Sequence, residues 1–293
     1  MGPRANQDDP AFMTLLAKIN AKIKDIRLYY KSNALFFQAL KNHRSAWWLP
    51  ILGSWSFFPR QGESPIHIPQ GYWTMLPTAC RLLLIGAYPE WLDGKKKITF
   101  RGFCFFAPGL EKTPALSLKE IYIDDVYRLG NLDLTGITVL DVGANIGDSS
   151  FAFASRGAMV HAFEPLSSFS KLLTNNVRAN HLDDQIVVHP VGLSHQDEVI
   201  PLENDQLLLV DALKYLKAQG LAKVDLIKLD CEGCEYYLLQ QEDLLAFLQP
   251  RRIILEYHRG GVDLNRWLSE YGYEVDWPER EDPVGFLYAW RRA

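Results

Sequence analysis

The sequence predicts an α/β fold, a mostly parallel sheet with helices on both faces, carried by about the last three fifths of the chain. Three observations predict it. From Ile137 onward short apolar runs alternate with helical stretches. The first run, Thr138 to Val142, passes through Gly143 and Gly147 into a helix at Asp148, the pattern of strand, tight nucleotide loop and helix N-terminus. Polar residues also gather at the ends of the runs: Asp141, Glu164, Asp230, Glu256 and His258. Such sheets bind ligands at the carboxyl ends of their strands, so these residues are expected to share one crevice.

Residues 1–115 form a different zone, expected as an N-terminal, mainly helical, aromatic-rich accessory region ahead of a domain over 116–293. Ala11 to Leu40 has Leu15, Ile19, Ile23, Ile26 and Tyr30 on one stripe, which predicts a long amphipathic helix. Up to Arg60 the segment holds nine Lys or Arg against three Asp, a local charge of +6. The run Trp47 to Pro59 follows, dense in aromatics and broken by prolines. It reads as an aromatic core or homodimer contact, or else as an acceptor cap or peripheral membrane patch, and the sequence leaves these open. Thr78 to Leu84 is expected as a short helix, Lys97 to Ala107 as one strand, Pro108 to Leu118 as a linker, and Lys119 to Leu129 as a lead-in helix.

In the second zone the strand candidates are Thr138 to Val142, Met159 to Phe163, Ile186 to His189, Val224 to Leu229 and Ile253 to Tyr257. Helices are expected over Asp148 to Arg156, Phe169 to Asn180, Tyr236 to Phe247 and Arg266 to Tyr271, then a hairpin of Tyr273 to Trp277 with Gly285 to Trp290.

At 293 residues, 48% hydrophobic, the chain can bury a substantial core, and a net charge of -4 argues against a nucleic-acid binder. Cys231 and Cys234 have CxxC spacing, but no second pair completes a zinc site and no thioredoxin-like context surrounds them. They are read as small packing residues around Gly233. Neither a secretory signal nor a membrane span is legible, so the expectation is a soluble, cytoplasmic protein.

Asp141 directs the ligand reading. A carboxylate at the strand end would repel a pyrophosphate, which the glycine loop of a dinucleotide fold must cradle. It would attract a cationic ligand instead. S-adenosylmethionine has a sulfonium, an ammonium, no phosphate, and a ribose that needs a carboxylate partner. Glu164, ending the next apolar run, stands at about the spacing where such folds place that acid.

Five motifs in order carry a resemblance: Val139 to Gly147, Ala162 to Pro165, Val188 to Ser194, Leu226 to Glu235 and Leu255 to His258. Together they resemble the FkbM family of class I S-adenosylmethionine-dependent methyltransferases, over about two fifths of the chain. The resemblance implies a seven-stranded sheet and O-methylation of a sugar hydroxyl, on a glycan, glycolipid or natural product. Two departures stand out: Cys231 and Cys234 replace the usual residues of their motif, and the segment from Ser194 to Val210 is short.

Each of these positions has an expected role. Gly143 and Gly147, with Ala144 and Asn145 between them, let backbone approach the methionine part of the cofactor, with Asp141 near its ammonium. Glu164 and Pro165 flank the ribose, where one carboxylate can accept both hydroxyls. Val191 and Gly192, after Pro190, offer backbone to the adenine. Asp211 matches an acidic position of the family or caps a helix, and His161 and His189 are expected mainly as packing residues. Asp230, Glu232, Glu256 and His258 can supply the general base for an alcohol, with His258 favoured because an unperturbed imidazole titrates near neutrality. The same groups could hold a divalent cation such as Mg, although the resemblance requires no metal. The rival functions are a non-catalytic S-adenosylmethionine-binding module and a nicotinamide oxidoreductase, the latter disfavoured by Asp141 and the incomplete GxGxxG.

Overall fold

The computed structural model describes residues 55–57, 66–68, 79, 81–82, 85–92, 95–107, 112–203 and 205–291. The expected helix from Ala11 to Leu40 and most of the aromatic run Trp47 to Pro59 lie outside them. The chain divides into two units: Met1–Arg101 with Gly109–Ala115, and Gly102–Pro108 with Leu116–Ala293.

In the first unit β1 (Trp55–Phe57) pairs antiparallel with β2 (Ile66–Ile68), and β3 (Tyr88–Leu92) with β4 (Lys95–Phe100). The strand expected over Lys97 to Ala107 is interrupted. Arg101 and Gly102, at φ 49° and 85°, adopt the left-handed pair of a two-residue turn, and the chain resumes as β5 (Phe103–Ala107). The expected linker is also corrected, since α1 occupies Lys112–Tyr122. Its proline, Pro114, lies in the first turn, where no intrahelical N–H is needed. Asp125 ends the lead-in at φ 51° and accepts the amides of Leu129 and Gly130 at 2.7 and 2.9 Å, so no helix continues to Leu129.

The second unit then runs through β6 (Thr138–Val142), α2 (Asp148–Ala154), β7 (Met159–Phe163), α3 (Ser167–Ala179) and β8 (Ile186–His189). Next come β9 (Gly192–Ser194), β10 (Glu198–Pro201), β11 (Gln206–Asp211) and α4 (Ala212–Ala218). It closes with β12 (Leu226–Leu229), α5 (Cys234–Leu239), α6 (Glu242–Leu248), β13 (Arg252–Tyr257), α7 (Val262–Glu270), β14 (Glu274–Asp276) and β15 (Gly285–Trp290). Seven strands form one sheet in the order β14-β15-β13-β12-β6-β7-β8, and only β15 runs antiparallel to its neighbours. This is the seven-stranded α/β sheet that the resemblance implied. The central strands are buried on both faces, Leu226 to Leu229 throughout, which is why they read as continuous apolar runs.

The sequence reading missed the three-stranded sheet β10-β11-β9 and the helix α4. At their junction Asp211 accepts the Lys214 amide at 2.9 Å, so it is a helix cap. Among the described residues no helix is long and apolar enough to cross a membrane.

Two asparagines tie β5 into this unit. Asn180 accepts the Cys104 amide at 2.7 Å and donates to the Cys104 carbonyl at 2.7 Å; Asn176 makes the same pair with Phe106 at 2.6 and 3.1 Å. One helical turn spans about 6 Å, and two strand residues about 6.6 Å, so the spacings match. Asn176, fully buried, also donates to the Ile146 carbonyl at 2.8 Å and so supports the glycine loop. Asn176→Ala is expected to lower stability by about 1–3 kcal/mol, because it strands buried backbone groups. Urea unfolding measures this, and an unchanged midpoint would refute the clamp.

Candidate active site

Strand register builds the site. Lys228 on β12 lies directly opposite Asp141 on β6, and both side chains are buried. Lys228 Nζ is 3.1 Å from Asp141 Oδ1, donates to the Gly143 carbonyl at 2.8 Å and lies 3.7 Å from Asp230 Oδ2. Asp141 Oδ2 accepts the hydroxyls of Ser149 and Ser150 at 2.7 and 2.6 Å. Burial alone would pull the Lys228 ammonium down, but Asp141 and Asp230 push it up to about 12. The expectation that Asp141 awaits a cationic ligand is thereby corrected. Its cation is the protein's own lysine.

Gly143 turns the loop at φ 83°, and a Cβ there would stand 1.8 Å from the Asp230 carbonyl oxygen, so only glycine fits. The loops after β6 and β12 are thus in direct contact. Gly143 and Ala144 both donate to the Phe163 carbonyl at 3.0 Å, and Gly147 to the Ala144 carbonyl at 2.8 Å. Asn145 donates its amide to Glu164 Oε2 at 3.0 Å. With these amides engaged internally, the loop offers no ready cradle for a pyrophosphate.

Glu164, 6% exposed, accepts the Leu166 amide through Oε1 at 2.9 Å. Burial pushes its carboxyl up to about 7, against the pull of those two amides. Gly192 packs beside it, since a Cβ there would stand 3.0 Å from Pro165 Cβ, and Val191 is buried next to it. Asp148, which the sequence reading passed over, is 5% exposed and makes no ion pair among the described residues. Burial raises it to about 6. Its signal was present as an acidic residue directly after Gly147, in the first turn of α2.

Across the crevice Asp230, Glu256 and His258 bring ligand-type atoms within 4.8 Å of one another. Tyr127, also unforeseen, approaches Asp230 Oδ2 at 3.3 Å. Burial, then the Asp230 charge, push Glu256 up to about 7. His258 differs from its expected state. Its Nδ1 is 3.2 Å from Oε1 of fully buried Glu235, and its Nε2 is 3.6 Å from Glu232. The Glu235 hydrogen bond is the main cause that raises His258 to about 9, so at neutral pH it is an imidazolium and no free base. Glu235 was legible only as the last residue of its motif. Cys231 and Cys234, expected as small packing residues, are joined in a disulfide.

His161 and His189 lie apart from these groups, with ring nitrogens 3.0 Å from each other, and His189 stacks on Phe163 at 4.4 Å. Burial lowers both.

Residues 206–275 match the family model described as the methyltransferase FkbM domain. That stretch of the chain is similar to the FkbM methyltransferase domain. The matched stretch holds Lys228, Asp230, Glu235, Glu256 and His258, while the glycine loop and Glu164 precede it. A curated relative, the AMB antimetabolite synthetase AmbE of Pseudomonas aeruginosa, is 28% identical, over 54% of this chain and 10% of its own length. The chain therefore spans about a tenth of that relative. Among solved structures, a methyltransferase FkbM from Methylobacillus flagellatus is 20% identical with a TM-score of 0.44, covering 60% of this chain and 53% of that one. Magnesium protoporphyrin IX methyltransferase of Synechocystis, solved with bound SAM, is 17% identical with a TM-score of 0.41, covering 64% and 85%. The second unit has a Rossmann-like α/β strand order.

Lys228→Met is expected to cost about 3–5 kcal/mol, because it leaves Asp141 buried without its cation, whereas Lys228→Met with Asp141→Asn should recover much of that loss. Denaturant melts of both variants test this. Equal destabilisation by the single and double changes would show that the pair is not coupled.

Proposed function

We propose that the chain is an S-adenosylmethionine-dependent methyltransferase that methylates a hydroxyl of a sugar, glycan, glycolipid or natural product. The observation that carries this reading is an acidic cluster beside a glycine loop in which the amides of Gly143, Ala144, Asn145 and Gly147 are already engaged. Asp148 and Glu164 follow β6 and β7, Asp230 follows β12 and Glu256 lies near the end of β13, all at the carboxyl ends of the parallel strands, and the central lysine is committed to Asp141. Such a site suits a ligand with cationic groups and a ribose, and suits a dinucleotide phosphate poorly.

Glu164 would hold the ribose, since its two amide bonds leave acceptor capacity on both oxygens. Asp148 is given the role that the sequence assigned to Asp141, facing the ammonium, because it is a buried carboxylate directly after the glycine loop that makes no ion pair among the described residues. When bound, the cofactor supplies a methyl group already activated by its sulfonium. The protein's task is then to orient the acceptor hydroxyl and take its proton. Glu256, raised to about 7, is matched to that task at neutral pH, while His258, fixed as a cation by Glu235 and Glu232, orients the hydroxyl. The spacing of Asp230, Glu256 and His258 also suits a divalent cation, but a protonated His258 offers no lone pair, which favours the metal-free reading.

For the cofactor, Glu164→Ala is expected to weaken S-adenosylhomocysteine binding by about 1.5–3 kcal/mol. In the wild type, affinity should fall as pH drops through about 7, because Glu164 is raised and must be ionised to accept both hydroxyls. Calorimetry across pH 5.5–8.5 checks both, and a flat profile with full affinity in the variant would remove Glu164 from the ribose site.

For the chemistry, Glu256→Gln should cut methyl transfer at least about a hundredfold while S-adenosylhomocysteine affinity stays within about twofold. The rate should rise with pH through about 7, as Glu256 ionises, and fall above about 9, as His258 loses its proton. Transfer of labelled methyl to a panel of sugars provides the assay. Near-normal transfer in Glu256→Gln, with collapse in His258→Ala, would return the base assignment to His258.

A further inference from the structure

The loop that links the catalytic carboxylates to His258 contains a feature that the methyl-transfer reading leaves unused. Cys231 and Cys234 close a disulfide ring around Glu232 and Gly233, immediately after Asp230 and before Glu235. Inside the ring both residues have positive φ, 57° at Glu232 and 123° at Gly233. For glycine this is ordinary. Glu232 sits in the left-handed region that a side chain with a Cβ avoids, and that side chain is 85% exposed, so no packing around it imposes the conformation.

The same ring adjoins the site on both sides. Glu235 Oε2 accepts the Gly233 amide at 2.9 Å and lies 3.4 Å from Cys231 Sγ, while its other oxygen holds His258. A Cβ on Gly143 would stand 3.3 Å from Cys231 Cα, so the ring also rests on the glycine loop. Both cysteines are partly exposed and within reach of a reductant.

We propose that Cys231 and Cys234 form a reversible redox switch, in which the disulfide holds Glu232 and Glu235 on His258 and reduction releases them. The importance of that hold to catalysis rests on the methyltransferase reading above. A dithiol, small or protein-borne, delivers a thiolate to one sulfur, the bond between Cys231 and Cys234 breaks, and a mixed disulfide forms. The second thiolate of the dithiol then expels the bound cysteine. Two electrons and two protons reach the protein, and the dithiol leaves as a disulfide. In the disulfide, Cys231 Sγ carries no hydrogen to give to Glu235. The reduced thiol does carry one, and it competes with His258 for that carboxylate. Opening the ring also lets Glu232 return to an ordinary backbone conformation, which draws its carboxylate away from His258 Nε2.

The test uses the full chain, equilibrated across reduced and oxidised dithiothreitol. The oxidised protein should show two fewer reactive thiols than its four cysteines, and reduction should restore them. Over the same transition the His258 side-chain resonances should move, and methyl transfer should fall about fivefold while S-adenosylhomocysteine affinity stays within about twofold. Cys231→Ser with Cys234→Ser should match the reduced wild type and ignore the dithiol. Four reactive thiols without reductant would overturn the switch, as would identical His258 resonances in both states. A change in melting temperature alone would also overturn it, by making the disulfide purely structural. If neither form binds S-adenosylhomocysteine, the methyltransferase reading fails, yet thiol count and His258 resonances still decide whether the switch exists.

Discussion

The buried pair of Lys228 and Asp141 is the interaction on which the site depends. A lone ammonium or carboxylate at this depth would carry a desolvation penalty of several kcal/mol, so each requires the other. The parallel register of β12 against β6 puts them side by side, and the pair in turn fixes the loop after each strand. From the same ammonium a hydrogen bond reaches the Gly143 carbonyl, and the ion pair to Asp230 extends the link into the neighbouring loop. Ser149 and Ser150 bring the first turn of α2 onto the same carboxylate. One charge pair thereby aligns two strand ends, two loops and a helix start.

This arrangement divides the acidic residues into two kinds. Asp141 is structural, its Oδ1 held by the charge of Lys228 and its Oδ2 by two hydroxyls. Asp148 and Glu164 are buried without a comparable cation and Glu256 is half-buried beside His258, and their carboxyls are raised to about 6, 7 and 7. Groups of that kind cost stability in an empty crevice and gain partners when a ligand fills it, which is how perturbed titration marks a functional site. The second loop contributes an opposite device. Buried Glu235 supports His258 as a cation, so an acid near 7 and a cation titrating near 9 face each other, with environments that push their titrations apart.

How the pieces are held also explains where the sequence reading went astray. Lys97 to Ala107 has one apolar pattern, yet Arg101 and Gly102 break it, because a dipeptide ending in glycine can take two left-handed residues at once. The helix over Lys112–Tyr122 was obscured by Pro114, a residue that interrupts a helix only beyond its first turn. The short strands β9, β10 and β11 carry little periodicity, and their pairing is decided by contacts distant in sequence.

The sequence by itself determined the α/β class, the five central parallel strands and the convergence of Asp141, Glu164, Asp230, Glu256 and His258 on one end of the sheet. It could do so because strands buried on both faces must be apolar throughout, and because ligand-facing polar residues must follow their carboxyl ends. Which of those acids is free was beyond its reach. Lys228 lies 87 residues from Asp141 in the chain, and only strand register makes them neighbours. In the same way the charge on His258 depends on Glu235, a residue in the first turn of α5, and the state of Cys231 depends on the backbone turn that brings Cys234 to it. Charge state is a property of what surrounds a group in space, and that only the tertiary structure decided.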